Sequence, residues 1–415
     1  MSKLAIDGGE PVRTQPLTGG KKWGWQELRE VIDVFESGAY FRFGGSKVER
    51  FERDFAETYG VRYAIASTSG TAAIHIAVGM LNPEPGDEII TAPITDLGSI
   101  VPILQQGAIP VFADSDPDTF CMDPQDIERQ ITDRTRAIMV VHLFGNPCDM
   151  EAILEIARRH HLPVIEDCSQ AHWTEYRGRI CGTLGDIGCF SLQASKHITT
   201  GDGGMTITDH ETWGERGRLF MDKGWTRQPG WGPRTYLFLA PNYRMNEITG
   251  AIGCAQIRKL KEVVARRHAL GCRLTERIGE VPGIRPQQTT PGGQHTYWLY
   301  ALAVEANGPY TAAEFARALS AEGIPASPHY IGKPIFLCAE ALCHKVTFGQ
   351  SQWPFTHPGA RPIEYTEATC PRTSDLLQRM VTLPLHEFLT DRDIEDMATG
   401  VRKVAEGLAA KAVGG

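Results

Sequence analysis

SLQASKHITTGDGG, Ser191 to Gly204, sets one lysine between an apolar run and a glycine-rich turn. The residues ahead of it, Ile187-Gly-Cys-Phe-Ser191, read as a buried strand, and Gly201-Asp-Gly-Gly204 behind it lets the backbone bend freely. A lysine in a loop is ordinarily a solvated charge. Ligands of an open α/β sheet, however, bind at the carboxyl ends of its strands, and Lys196 follows such an end. Its reading therefore depends on what the other strand ends carry.

From about residue 60 to 210, strand-like and helix-like segments alternate. YAIAST (63–68) predicts a strand and residues 70–81 a helix; DEIITAP, IPVFADS, RAIMVVHLF and LPVIED predict further strands, with the helix DMEAILEIARRHH before the last. IGCFSLQ and MTITD complete the set. Several of these runs are continuously apolar, as expected where helices cover both faces of a mostly parallel sheet. A helical stretch from about Met245 to Cys272 then predicts the link to a smaller domain. That domain holds the strand TYWLYALAVE, the helix TAAEFARALSAEG, an irregular stretch at 337–361 and a last helix from Asp391. The fold class is α/β. The expected division is a large cofactor-binding domain with an N-terminal arm over 1–250, and a linking helix with a small α+β domain over 251–415.

Bulk properties exclude several classes. The 415 residues carry a net charge of −8, which offers nucleic acid or an anionic membrane no electrostatic attraction. No apolar run approaches a membrane span, and Asp7 and Glu10 come too early for a secretion signal, so a cytoplasmic location is expected. The ten cysteines include no C-x-x-C pair and predict reduced core thiols with no metal site; Cys338 and Cys343 stand apart from other ligand types.

Two other strand ends complete the reading. In STSGTAAIHI a strand runs through Ser67-Thr-Ser-Gly-Thr71 into a helix, whose free N–H groups suit a phosphate, although an ordinary N-cap has the same composition. Neither a Walker loop nor G-x-G-x-x-G is present. In VIEDCSQAH, Glu166 and Asp167 close an apolar strand, so at least one carboxylate faces the sheet edge, with Gln170 and His172 on the same turn. A phosphate nest, a strand-end carboxylate and a strand-end lysine, in that order, match the needs of pyridoxal 5′-phosphate. They would anchor its phosphate, keep its ring nitrogen protonated and hold its aldehyde.

The chain resembles the DegT/StrS-type aminotransferases of the fold-type I pyridoxal phosphate superfamily. The likeness runs through LAIDGGEPVR, SGTAAIHIA, GDEIITAPIT, VIEDCSQAH, GDIGCFSLQASKHITTGDGG, NYRMNEITGAIGCAQ and MVTLPLHEFLTDRDIEDM. It implies an aspartate aminotransferase-like large domain with a seven-stranded sheet, and it implies site roles. Lys196 would hold the aldehyde, Asp167 would contact the ring nitrogen, and Gln170 would lie near the ring hydroxyl. Gly70, Thr71, Ala72 and Ser191 would hold the phosphate, and Asn242 would reach it from the neighbouring subunit of a homodimer. The family's histidine-bearing relatives dehydrate or deoxygenate; here lysine is present, with His197 beside it, which favours transamination.

One position departs from the family pattern. An aromatic residue usually stacks on the cofactor where this chain reads Pro93-Ile-Thr-Asp96-Leu97. Asp96 either contacts the cofactor or a basic or hydroxylated substrate, or caps the next helix. Arg227, Arg234, His329 and Tyr330 lie in loops that could touch substrate. The expected reaction moves an amino group from glutamate or glutamine to a keto sugar or ketocyclitol, in an amino-sugar or antibiotic-type pathway. Dehydration or oxidation of a sugar on the same cofactor, or a non-catalytic regulator of the same fold, are the alternatives.

Overall fold

Continuous apolar runs in the first half of the chain become seven strands of one sheet in a computed structural model, which describes residues 3–227 and 234–414. In chain order these are β1 (Tyr63–Ser67), β2 (Glu88–Thr91), β3 (Ile109–Phe112), β4 (Thr135–Val141), β5 (Val164–Asp167), β6 (Ile187–Ser191) and β7 (Gly204–Thr208). Their spatial order is β1-β7-β6-β5-β4-β2-β3. Strands β2 to β6 pair parallel, and β7 runs antiparallel to both β1 and β6.

Side chains alternate between two buried faces, which is why these strands read as unbroken apolar runs. Ile65, Ile89, Ala137, Ile165 and Ile187 pack under helix α3 (Gly70–Leu81). Ala64, Ala66, Ile90, Ile138 and Val164 face the other way, toward Phe51 and Phe55 of α2 (Lys47–Tyr59). Helix α1 (Trp25–Ser37) and α2 both pack on the helix Glu247–Gln256. The Ser46 side chain makes no cap; Glu247 instead accepts from the N–H groups of Lys47 and Val48 at 2.7 and 3.1 Å, placing a carboxylate on the positive end of α2.

The second sheet has four antiparallel strands in the order Ile284–Pro286, Leu299–Val304, Met380–Pro384, Ser327–Pro328. Its core includes Leu302, Phe315, Leu319, Val381, Ile394 and Val401, from the sheet and from helices Ala312–Ala321 and Asp391–Gly414. The expected boundary at 250 falls inside the helix Glu247–Gln256, which passes through a short 3₁₀ turn into Leu260–Ile278. The start of the chain belongs spatially to this second layer. Leu4 joins its core, the Ala5 N–H donates to Glu322, and Arg13 pairs with Asp393 and Asp396 at 2.7 and 2.8 Å. The irregular stretch near 337–361 is anchored beside β3, where Phe336 and Tyr365 meet Phe112 at ring distances of 4.8 and 5.6 Å. No described helix is long and apolar enough to cross a membrane.

Candidate active site

Strands β5 and β6, the loop after β2 and the start of α3 converge on a cavity of about 370 Å³. The start of α3 comes close because its neighbours are small. A Cβ on Gly70 would stand 2.6 Å from the Ser191 Cβ, and one on Gly204 only 2.1 Å from the Ser69 carbonyl oxygen. These glycines let β6, β7 and the helix start close up, so that Gly70, Thr71 and Ser191 share one wall. Ser69 caps α3 by accepting the Ala72 N–H at 3.0 Å. Ala72, which the resemblance places among the phosphate-holding residues, has its N–H engaged by this cap, is buried and does not line the cavity.

Alternation along β5 separates its two acids. Asp167 faces the cavity, accepting from the Ser99 hydroxyl at 2.7 Å and from the Ser169 N–H at 3.0 Å. Ser99 in turn meets the Thr95 hydroxyl at 2.7 Å. Glu166 points into the core and takes N–H donors from Gly182, Leu184 and Gly185 at 2.7–2.8 Å, with His142 Nε2 at 3.0 Å. Glu166, His142 and Cys168 place ligand-type atoms within 4.8 Å of one another. Both nitrogens of His142 are engaged, by Glu166 and by the Cys148 N–H, so the group is a satisfied structural network.

Lys196 sits on the same cavity, and burial lowers its pKa from 10.5 to about 8 against the opposing pull of Asp167 and Asp96. Its amine lies 4.0 Å from the centre of the Trp298 ring, whose own N–H donates to the Ser195 carbonyl at 3.1 Å. Gln170 accepts from the Phe144 N–H at 2.8 Å, and its amide lies 3.4 Å from the Tyr330 hydroxyl. Burial raises the Tyr330 pKa to about 12. His172 and His197 stand behind the cavity: His172 Nε2 meets the Ser191 carbonyl at 2.8 Å, and His197 Nε2 the Thr296 carbonyl at 3.0 Å. Both rings are buried, and burial pushes their pKa values down, so they serve as neutral braces for Ser191 and the lysine loop.

Asp96 lines the cavity and also caps the next turn, accepting the Gly98 N–H at 2.8 Å. Arg227 does not line it: its guanidinium pairs with Asp222 and lies 3.9 and 3.8 Å from the Phe43 and Trp225 rings. Arg234 lies 5.1 Å from the Trp225 ring, also outside the cavity. His329 is withdrawn too, with Nδ1 3.4 Å from the Leu377 carbonyl, whereas Tyr330 reaches the cavity. Asn242 accepts the Arg244 N–H at 3.4 Å and lies outside this chain's own cavity.

Trp298, Thr95, Ser99 and Phe144 were not anticipated. Phe144 holds a left-handed backbone, φ 60°, between Gln170 and Trp298, whose N–H donates to its carbonyl at 2.6 Å. A hydroxyl pair four residues apart after Pro93 was a usable signal for Thr95 and Ser99; nothing local marked Trp298.

The cavity fits pyridoxal phosphate on its own chemistry. The α3 N-terminus and the Ser191 wall suit a phosphate, Asp167 suits a ring nitrogen, and burial brings the lysine amine's pKa down from 10.5 to about 8. Residues 22–402 match the model of the DegT/DnrJ/EryC1/StrS aminotransferase family. The chain is 34% identical to the spore coat polysaccharide biosynthesis protein SpsC of Bacillus subtilis, over 92% of this chain and 95% of that protein. It is also 34% identical to the L-glutamine:2-deoxy-scyllo-inosose aminotransferase of Streptoalloteichus tenebrarius, over 97% of both. Among solved structures, the aminotransferase TlmJ from Streptoalloteichus hindustanus superposes with a TM-score of 0.79 at 29% identity, covering 96% of this chain and all of that one. With the fold-type I architecture and these likenesses together, the chain belongs to the DegT/DnrJ/EryC1/StrS aminotransferase family.

Proposed function

We propose that this aminotransferase binds pyridoxal 5′-phosphate at Lys196 and moves an amino group from glutamate or glutamine to the carbonyl of a keto sugar or ketocyclitol. The observation that carries the reading is the meeting of a depressed-pKa lysine and the Asp167 carboxylate across one cavity, beside the open N-terminus of α3. When bound, the cofactor supplies an electron sink for the carbanion formed at the substrate carbon. The chain supplies the rest. Gly70, Thr71 and Ser191 hold the phosphate, and Asp167, fixed by Ser99 and Ser169, faces the ring nitrogen. Gln170 orients the ring's hydroxyl edge. Lys196 Nζ would hold the aldehyde and, when free, would carry the proton from the donor's α-carbon to the cofactor and, in the second half-reaction, from the cofactor to the acceptor carbon. A base so placed contributes roughly 10²- to 10⁴-fold.

The acceptor class follows from the relatives, one of which is named for a ketocyclitol and another for polysaccharide biosynthesis. A homodimer belongs to the same reading. Trp25, Leu28, Ile32 and Phe35 form an outward apolar stripe on α1, 77%, 44%, 43% and 61% exposed, continued by Tyr40, Phe41 and Phe43. Such a patch is an interaction face, and Asn242, outside its own cavity, is free to serve the partner's phosphate. Ten unpaired cysteines suit a reducing compartment such as the cytoplasm.

The test is Lys196→Ala. Loss of at least ~10³-fold in keto acid formation from glutamine or glutamate, with product amine lost in step, supports the reading. Near wild-type transamination by this variant would sink it.

A further inference from the structure

The turn after β4 holds two left-handed residues in succession, Phe144 at φ 60° and Gly145 at φ 97°. A glycine enters that region freely; a phenylalanine does not, and such an outlier beside a functional site points to a task. Gly145 has its own reason, since a Cβ there would stand 2.6 Å from the Thr296 hydroxyl oxygen. It lets the segment 296–298 come alongside. The Thr296 N–H donates to the Gly145 carbonyl at 2.9 Å, and the Trp298 N–H to the Phe144 carbonyl at 2.6 Å. Those two bonds join the end of β4 to the approach of the strand Leu299–Val304.

Glycine or asparagine would meet the same backbone at lower strain, so what singles out Phe144 is its ring. That ring is fully buried and lines none of the cavity. It meets Tyr330 edge-on, with centroids 4.9 Å apart at 78°, and lies roughly parallel to Trp298 at 6.4 Å and 23°. Gln170 fixes the residue from the large sheet by accepting its N–H at 2.8 Å. Trp298 thus has its backbone tied to Phe144 and its indole faced by the Phe144 ring, while that indole lies 4.0 Å from the Lys196 amine. All of these contacts are made within one subunit.

Resting on the assignment of Lys196 given above, we infer that Phe144 is a positioning residue. Its ring and its left-handed carbonyl hold Trp298 over the Lys196 amine, and through Trp298 they set how far that amine is shielded from water.

The test reads the lysine without cofactor or turnover. In cofactor-free protein, the pH midpoint of Lys196 acylation is followed by peptide-resolved mass spectrometry in wild type, Phe144→Gly, Trp298→Ala and the double variant. Glycine keeps the left-handed backbone and removes only the ring. Phe144→Gly is expected to raise the midpoint from about 8 to about 9 or above, in the same direction as Trp298→Ala. The double variant is expected to match Trp298→Ala alone. The titratable groups around the amine, Asp96, Asp167, Asp202 and Tyr330 on the cavity with Lys22 and His172 behind it, are retained in every variant. Glu166→Gln, a core change away from Trp298, is the control and should leave the midpoint at its wild-type value. Phe144→Leu, which keeps apolar volume, should move the midpoint the same way and decides the matter if the glycine variant does not fold. A midpoint that stays at about 8 or falls in the Phe144 variants overturns the inference. So does a double variant that shifts beyond Trp298→Ala, or an equal rise in Glu166→Gln. Keto acid formation by Lys196→Ala tests the aminotransferase reading; near wild-type turnover there would leave the midpoints standing, so the two failures are distinguishable.

Discussion

The Lys196 amine lies 4.0 Å from the centre of the Trp298 ring, so the residue just ahead of the strand Leu299–Val304 roofs the lysine of the loop after β6. Two effects of that roof oppose each other. A cation over an indole gains roughly 0.5–2 kcal/mol, which favours the ammonium form, whereas burial favours the neutral amine. Burial lowers the lysine's pKa to about 8 against the opposing pull of Asp167 and Asp96.

Trp298→Ala should therefore raise the pH midpoint at which Lys196 in cofactor-free protein reacts with an acylating reagent, from about 8 toward its ordinary 10.5. Peptide-resolved mass spectrometry across pH 6–11 would follow it. The sign extends to stability. Between about 8 and 10.5 the unfolded chain holds a proton that the folded one has lost, so this group's contribution to stability rises with pH across that window. Lys196→Met should remove that slope. A midpoint that falls in Trp298→Ala would mean the ring's attraction for the cation dominates.

Asp167→Asn keeps the shape of the side chain near Ser99 and Ser169 but removes its charge. The donor half-reaction should slow by at least ~10²-fold with little change in melting temperature, as single-turnover absorbance and calorimetry would report.

Ser99→Ala removes one of the two hydrogen bonds that Ser99 and Ser169 donate to the Asp167 carboxylate and should cost about 10-fold in kcat. Because Ser99 acts through Asp167, the double variant with Asp167→Asn should be no slower than Asp167→Asn alone. An additive loss would show that Ser99 has a separate task.

Glu166→Gln should spare chemistry and damage stability. The carboxylate accepts three N–H groups and faces His142 in the core, and an amide cannot serve them all. A loss of about 3 kcal/mol is expected, seen as a lower denaturant midpoint, while the kcat of surviving enzyme holds.

Phe35→Asp, placing a charge on the 61%-exposed ring at the C-terminal end of the α1 stripe, should convert the proposed dimer to monomer and lower activity with it. Sedimentation velocity at several concentrations decides; an unchanged species would place the subunit contact elsewhere.

The helix 70–81 and the strand ends at Ser67, Asp167 and Ser191 stand where the local pattern puts them, because burial on both faces leaves an unbroken apolar run and a capped helix start leaves its hydroxyls. The co-occurrence of Lys196, Asp167 and the STSGT turn was readable for the same reason: strand ends of one parallel sheet share an edge. Local patterning alone could not choose between Glu166 and Asp167, although the family resemblance pointed to Asp167; they differ by which face of β5 they occupy in the folded sheet. Nor could it find Trp298, about a hundred residues from the lysine it covers, or turn Arg227 and His329 away from the cavity. The first is settled by the faces of β5 and Arg227 by its pairing with Asp222, whereas Trp298 and His329 take their places from how the second layer docks on the first. By itself, then, the sequence determined the sheet and the polar residues that meet at its strand ends, both carried by short-range patterning. Only the tertiary structure decided which side chains enclose the cavity, because enclosure is made by contacts between segments far apart in the chain.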